Sequence, residues 1–379
     1  MRVLFVAHSA PRAVGDAPGS FVLRLAVALQ ARGIEVSLVA PHAAGLAERE
    51  DIEGVMIERV RYAAERDETL AYSGTLAQQV ATSWRARWAL VGLLRALRTA
   101  VSARAEHVDL VHAHWWFPSG LAAAVAPRAG RPLVTTLHGS DVRLARRGLP
   151  RRLFRAVASR SDRVTAVSSW LADEMQRGTG CARPDVAPMP IDTTTFHVAD
   201  GPRDGLLFVG RLNRQKGLHI LIAALPAIDP ALGPLTVIGD GPDEATLRAQ
   251  AEATGVAARI RWLRSMPQQA LVPAYQGTRV VILPATEAEG LGLVAVEARA
   301  CGAAIVASAI GGLVDVAGDA ADAVLVPAND PLALAAAVNS LPSTADRVAA
   351  AARLSAFAPA AAAARYAAIY EAVLRTSRA

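Results

Sequence analysis

The sequence predicts an α/β protein built from two doubly wound domains with parallel sheets. Three observations carry this. Short Val, Ile and Leu runs alternate with helix-periodic segments along the whole chain. The alternation is interrupted by a segment holding Pro184, Pro188, Pro190 and Pro202, and then restarts. The 379 residues, 53% of them hydrophobic, supply enough core for two ordinary domains.

In the first half the strand runs are Val3–Ala7, Val36–Ala40, Val55–Val60, Leu110–His112, Leu133–Leu137 and Val164–Val167. Each is a short apolar stretch of the kind buried on both faces of a parallel sheet. Helices are expected between them at Phe21–Ala31, over Leu76–Ala100 as one long element, and at Ser168–Gln176. The second series runs through Leu206–Val209, Leu235–Ile238, Ile260–Leu263, Val280–Leu283, Ala304–Ala307 and Ala323–Val326. The Ala-rich tail reads as helix because Tyr366, Ile369, Tyr370 and Val373 keep a helix-spaced stripe. The expected organisation is a first domain over residues 1–200, a second over 201–358 and a terminal helix over 359–379. Ligands of such sheets bind beyond the carboxyl ends of the strands, so a central cleft between the domains is the expected site.

Composition excludes several classes. A disordered chain does not carry this much apolar sequence. Cys181 and Cys301 lie too far apart in sequence for a disulfide framework or a thiolate zinc cluster, and a reducing, cytoplasmic setting is expected. The apolar stretch Leu291 to Val314 is broken by Glu297 and Arg299, so no membrane span is expected. The opening run Met1 to His8 reads as a buried strand rather than a secretory segment.

Charge is uneven. Residues 1–200 hold 25 arginines against 19 acids, whereas residues 201–379 are balanced at 15 against 15. Arg143, Arg146, Arg147, Arg151, Arg152, Arg155, Arg160 and Arg163 face only Asp162 within their stretch. Such a density suits an anionic membrane surface, here the inner face of the cell membrane, and equally suits a solvated helix face. No helix-turn-helix, zinc or stacking-aromatic signature accompanies it, so nucleic acid is not an expected partner. Of the 40 basic side chains 39 are arginine, and the single lysine is Lys216.

Chemistry concentrates in two segments of the second half. At Pro284-Ala285-Thr286-Glu287-Ala288-Glu289-Gly290-Leu291-Gly292-Leu293 a strand ends, two glycines allow close approach of backbone, and a helix is expected to begin near Leu291. Exposed amides and a positive helix end suit a phosphate or diphosphate. Glu289 and Glu297 flank it, separated by about 12 Å if helical rise held throughout. That is wider than a glycosidase pair, at about 5–9.5 Å, and fits one hydroxyl clamp for each sugar of a nucleotide sugar. It also fits two unrelated glutamates. In Val209-Gly210-Arg211-Leu212-Asn213-Arg214-Gln215-Lys216-Gly217 the cations Arg211 and Lys216 follow a strand end, with Gly210 and Gly217 flanking the loop. Fixed cations at a leaving diphosphate stabilise the transition state more than the ground state.

Arg211-x4-Lys216, Glu289-x7-Glu297, the Gly290-Leu291-Gly292-Leu293 turn and Ser308-Ala309-Ile310-Gly311-Gly312 together resemble the retaining glycosyltransferases of family 4, which have the GT-B fold. The resemblance extends to the Gly15-to-Ser20 loop, Thr136-Leu137-His138-Gly139 and the final Tyr366–Leu374 helix, which in that family crosses back to the first domain. It implies that Arg211 and Lys216 hold a donor diphosphate, Glu297 the ribose hydroxyls, and Glu289 hydroxyls of the transferred hexosyl group. It further implies that amides of Gly290, Leu291, Gly292 and Leu293 meet the phosphates, that Gly19 closes on the diphosphate, and that His138 touches the donor sugar. No cofactor or metal is implied. Arg264 stands where the family often has glycine, in the region that reads the base.

Trp115, Trp116 and Asp141 are candidates for the acceptor side, with core packing the rival for the indoles. His112 and His114 share a strand face, yet no third metal ligand is evident. The expected activity is transfer of a hexosyl group from a nucleotide diphosphate sugar to a hydroxyl acceptor, a glycan, lipid-linked or small molecule. The alternative is a sugar-nucleotide epimerase or hydrolase on the same plan. A nicotinamide dehydrogenase is a third option that the sequence does not favour, since His8-Ser9-Ala10-Pro11 follows the first strand without a Gly-x-Gly-x-x-Gly turn.

Overall fold

The computed structural model describes residues 1–379 except 17, 73–75, 146–147, 319–320, 342–346 and 379. The chain divides into two compact units, Met1–Pro190 with Pro359–Ala379, and Ile191–Ala358.

Unit 1 carries β1 (Arg2–Ala7), β2 (Glu35–Pro41), β3 (Arg49–Ile52), β4 (Val55–Val60), β5 (Leu110–His114), β6 (Leu133–Leu137), β7 (Arg163–Ala166) and β8 (Asp185–Val186). They form one sheet in the order β3-β4-β2-β1-β5-β6-β7-β8, parallel except for the β3–β4 pair. Its centre is buried on both faces: Val3 to Ala7, Leu110, Val111, Leu133 and Val134 are almost fully enclosed. The helices are α1 (Ser20–Gln30), α2 (Leu76–Thr82), α3 (Trp84–Arg104), α4 (Leu121–Val125), α5 (Ser140–Ala145), α6 (Gly148–Ala158) and α7 (Ser169–Thr179).

Unit 2 carries β9 (Leu206–Val209), β10 (Leu235–Ile238), β11 (Ile260–Leu263), β12 (Val280–Leu283), β13 (Ala304–Ser308) and β14 (Ala323–Val326). All are parallel, in the order β11-β10-β9-β12-β13-β14. Strand order reverses beside β9, which runs first and ends in the middle, and the loops after β9 and β12 therefore leave the sheet side by side. The helices here are α8 (Leu218–Ala224), α9 (Glu244–Ala253), α10 (Val272–Gly277), α11 (Leu293–Ala300), α12 (Leu313–Ala317), α13 (Pro331–Ser340) and α14 (Arg347–Ala352). The last helix, α15 (Pro359–Arg378), belongs to unit 1. There Tyr366 donates to the carbonyl of Ala187 at 3.0 Å, and the Tyr370 hydroxyl lies 2.7 Å from Nδ1 of His112.

Several sequence expectations move. The expected helix over 76–100 is two helices, because the side chain of Ser83 caps a new start by accepting from the Ala86 amide. The first boundary lies at Pro190, ahead of residue 200. Ile191 already donates to the Phe357 carbonyl at 3.0 Å, and Gln276 donates to the carbonyl of His197 at 2.9 Å. Helix α11 starts at Leu293 rather than Leu291, since Gly292 sits in the left-handed region at φ 80° and sets the turn. The 12 Å figure for Glu289 and Glu297 thus loses its basis, as Glu289 lies outside the helix.

Candidate active site

The carboxyl edge of unit 2 is built by glycines that admit backbone where side chains would collide. Gly217, at φ 74°, ends the turn after β9, and a Cβ there would lie 1.8 Å from the Pro284 carbonyl oxygen. The β9 and β12 loops are further tied by Thr286, whose amide donates to Gln215 O at 3.0 Å and whose hydroxyl donates to Arg214 O at 2.9 Å. On the other flank Gly311 and Gly312 lie against Glu289 and Gly290, and the Gly312 amide donates to the Glu289 carbonyl at 2.8 Å.

This packing brings Lys216 and Glu289 together: Nζ lies 2.7 Å from Oε1 across 73 residues of sequence. Both are partly exposed, so the pair is open to a ligand. Asn213 steadies the lysine by accepting from its amide at 3.1 Å. Arg211 stands exposed on the same loop. Gly290, Leu291, Gly292 and Leu293 form the turn into α11, whose first amides have no acceptor within the helix. The Leu291 side chain is core, so only its backbone is available to a ligand.

Glu297 lies in the second turn of α11 and is 4% exposed. Gln268 donates to its Oε1 at 2.5 Å and the Tyr275 hydroxyl to its Oε2 at 3.1 Å. Burial pushes its pKa up to about 7, against the pull of those donors. Neither Gln268 nor Tyr275 carries a sequence signal for this role. Arg264 pairs with Asp240 at 2.9 Å, and Ser265 donates to the same carboxylate, holding it below its usual range.

The carboxyl edge of unit 1 is built differently. Gly19, at φ 74° before α1, packs on the end of β1, where a Cβ would lie 2.6 Å from Ser9 O. Trp115 follows β5 at φ 65°, a costly conformation for a bulky residue, and its ring packs on His8 at 4.2 Å and His138 at 4.4 Å. Asp141 is the organiser: one oxygen accepts from the Trp116 amide at 2.9 Å, the other from the amides of His138 at 2.6 Å and Gly139 at 3.2 Å. Desolvation nevertheless raises its pKa to about 6. Nδ1 of His114 lies 3.1 Å from Nε2 of His138. Burial lowers His8 to about 4 and His114 to about 3, and sends His112 and His138 well below the usual imidazole range, so all four rings are neutral at pH 7.

A cavity of about 640 Å3 opens here, walled by Gly19, Tyr72, Trp115, Phe117 and Leu144 among others. Trp116 also reaches it, but its indole is 1% exposed, packs on Phe154 and donates to Asp141 O, so it serves chiefly as core. His112 is likewise structural, held between Tyr370 and Thr136. Among the described residues no three His, Cys, Asp or Glu side chains come together as a metal site. Of the basic stretch, Arg146 and Arg147 lie outside the described residues. Arg155 donates to Thr179 O, Arg160 to Ala156 O, and Arg163 pairs with Asp185, while Arg151 and Arg152 stand exposed on α6.

The comparisons place this two-unit α/β chain, with its anion-suited turn beside a lysine–glutamate pair, among the sugar-transferring enzymes. Residues 19–195 match the Glycosyltransferase Family 4 profile and residues 196–355 the Glycosyl transferases group 1 profile. The chain is 31% identical to the glycogen synthase of Mycobacterium tuberculosis, over 93% of its own length and 89% of that protein. It is also 31% identical to the D-inositol 3-phosphate glycosyltransferase of Acidothermus cellulolyticus over 64% of its length, and there the match spans 63% of the relative. In fold it is similar to sucrose-phosphate synthase from Thermosynechococcus elongatus (TM-score 0.78, 19% identity, covering 99% and 100% of the two chains). It is similar as well to Anabaena HepE in complex with UDP-glucose (TM-score 0.73, 20% identity, covering 98% and 100%). The chain belongs to the glycosyltransferases of the GT-B fold.

Proposed function

We propose that the chain is a retaining, family 4 hexosyltransferase that moves its sugar from a nucleotide diphosphate donor to a hydroxyl acceptor. The observation that carries this is the meeting of Lys216 with Glu289 beside the Gly290–Leu293 turn, which gathers a cation, a carboxylate and backbone amides at one strand edge. HepE, a neighbour in fold, was solved with UDP and with UDP-glucose, which supports such a donor.

In this reading Arg211, Lys216 and the turn amides take the diphosphate, and Glu289 exchanges its lysine partner for hydroxyls of the sugar. Glu297 takes the ribose: each of its oxygens has one donor already and keeps a lone pair for a hydroxyl. The bond from the anomeric carbon to phosphate oxygen breaks while the acceptor oxygen bonds to the same face, and the acceptor proton passes to the leaving phosphate. Arg211 and Lys216 stabilise the charge that grows on that phosphate. Neutral His138 accepts or donates a hydrogen bond to the sugar without adding a cation where positive charge develops. Gly19 lets its loop approach the diphosphate, and Trp115, Asp141 and the cavity beside them serve the acceptor, with Trp116 as their support. No step uses a metal, so turnover should survive a chelator.

The protein works in the cytoplasm in this reading, with peripheral contact to the inner membrane face through Arg143–Arg163, of which Arg151 and Arg152 are exposed. Neither the geometry nor the relatives lend support to the epimerase or hydrolase alternative. Thermal denaturation against UDP, GDP, ADP and their sugars tests the donor, because ligand at about 100 times its dissociation constant adds roughly 2.7 kcal/mol. A shift with one base identifies the donor class; no shift with any of them would overturn the reading.

A further inference from the structure

Helix α3 buries one face on unit 1 through Ala86, Ala89, Leu93, Leu97 and Val101. Its opposite face is unusual for a solvated surface. Trp84 is 67% exposed and Trp88, one turn on, 70% exposed; Val91 continues the line and Val125 at the end of α4 lies exposed beside the same helix. Surface indoles are costly to leave in water, and two in one line mark a contact surface.

The charges on the helix itself have one sign. The 21 residues of α3 contain five arginines and no acid. Arg104 pairs with Glu58, and Arg85 reaches Asp67 at 3.5 Å, where Arg66 also lies at 3.7 Å. Arg87 is held at the helix start by donating to Val80 O and Ala81 O, and Arg98 donates to Val125 O. Arg87, Arg95 and Arg98 remain exposed, flanking the Trp84–Trp88–Val91 line. Asp67 lies close to the Trp84 end and is already paired with arginine.

We propose that this face of α3 docks the protein on an anionic lipid bilayer, with both indoles at the headgroup level and Arg87, Arg95 and Arg98 on lipid phosphates. Indoles favour the water–hydrocarbon boundary, where the ring is dry and the N–H wet. A helix with tryptophan on one side and arginine beside it lies flat in that interface. Charge decides among occupants. Two copies of this face would set arginine against arginine, whereas an anionic surface complements every exposed cation on it. Among the described residues of Arg143–Arg163 the exposed large apolar side chain is Leu149 alone, so that stretch has less to anchor with. No helix of the described residues is long and apolar enough to span a bilayer, so the contact is peripheral.

The test is sedimentation of the full chain with vesicles of phosphatidylcholine alone or mixed in equal parts with phosphatidylglycerol, at low and high salt. Binding is expected only with the anionic lipid and should weaken with salt. Trp84→Ser/Trp88→Ser should lower it about tenfold or more and abolish the fluorescence blue shift on vesicle addition. Arg95→Glu/Arg98→Glu should lower it by a similar factor. All the substituted side chains are exposed, and circular dichroism checks that the variants remain folded. Wild-type binding that ignores lipid charge, or binding lost in Arg151→Glu/Arg152→Glu but kept in the tryptophan variant, would overturn the α3 proposal. So would loss of a concentration-dependent dimer as the sole effect of the tryptophan changes. None of these outcomes bears on the donor reading.

Discussion

The carboxyl edges of the two units are made of opposite kinds of group. In unit 1 the edge is mainly aromatic: four imidazoles held neutral by burial, the Trp115 indole, and an aspartate whose oxygens are spent on three backbone amides. In unit 2 it is ionic and glycine-lined, with Lys216 against Glu289, Arg264 against Asp240, and turns where a Cβ does not fit. Cations and amides that stay partly wet suit an anionic ligand, whereas a wall of neutral rings suits uncharged, ring-shaped groups. The difference teaches that one fold repeated twice is adapted by its loops.

The largest effect should come from removing the cation. Lys216→Ala is expected to lower kcat/KM by on the order of 10²–10³, measured with saturating acceptor, and retention of full rate would show that the ionic edge is not the donor edge. Next, Gly217→Ala should destabilise unit 2 by about 3 kcal/mol, a fall of roughly 6–12 °C in melting temperature, because its Cβ meets Pro284 O at φ 74°. Gly33→Ala, at φ 76° but in open space, should cost about 1 kcal/mol, which isolates the contact from the dihedral.

Acid should separate the units. His8 titrates near 6.5 when unfolded and near 4 when folded, so the unfolded state binds more protons between these values and unit 1 loses stability as pH falls through that window. At pH 5 His8 alone costs about 2 kcal/mol, and His114 acts in the same direction. Asp141, raised from 3.8 to about 6, partly offsets them. Glu297, raised from 4.5 to about 7, has the opposite sign: the folded state binds more protons, so unit 2 gains about 2 kcal/mol on going from pH 7 to 5. Hydrogen exchange of peptides from each unit, corrected for intrinsic rate, should show protection falling in one and rising in the other. Equal behaviour in both would break the comparison. A smaller effect on turnover than that of Lys216→Ala is expected for Glu297→Gln, which should raise the donor KM about tenfold with little change in kcat and remove the acid gain of unit 2.

Most strands were legible because parallel strands buried on both faces are continuous apolar runs, and their bounds shift by a residue or two. β3 and β8 escaped notice: one is Arg-Glu-Asp-Ile on an edge, the other two residues long. The α2–α3 break was written at Ser83, yet an apolar stripe on both sides concealed it. Arg211, Lys216, Glu289 and the glycine turn stood out by spacing. Gln268, Tyr275 and the Asp240–Arg264 pair did not, since amide, phenol and exposed ion-pair residues are common everywhere and only contact gives them a role.

By itself, then, the chain's sequence determined which apolar segments become the central strands, where glycine must replace any larger residue, and which charged side chains follow those strands. Those are local properties, set by backbone sterics and hydrophobic period. Tertiary structure alone decided that Lys216 meets Glu289, that Trp116 is core while Trp115 faces the cavity, and that Glu297, Asp141 and the imidazoles leave their ordinary pKa values. Pairing across tens of residues and desolvation depend on what the fold brings alongside, which no local pattern records.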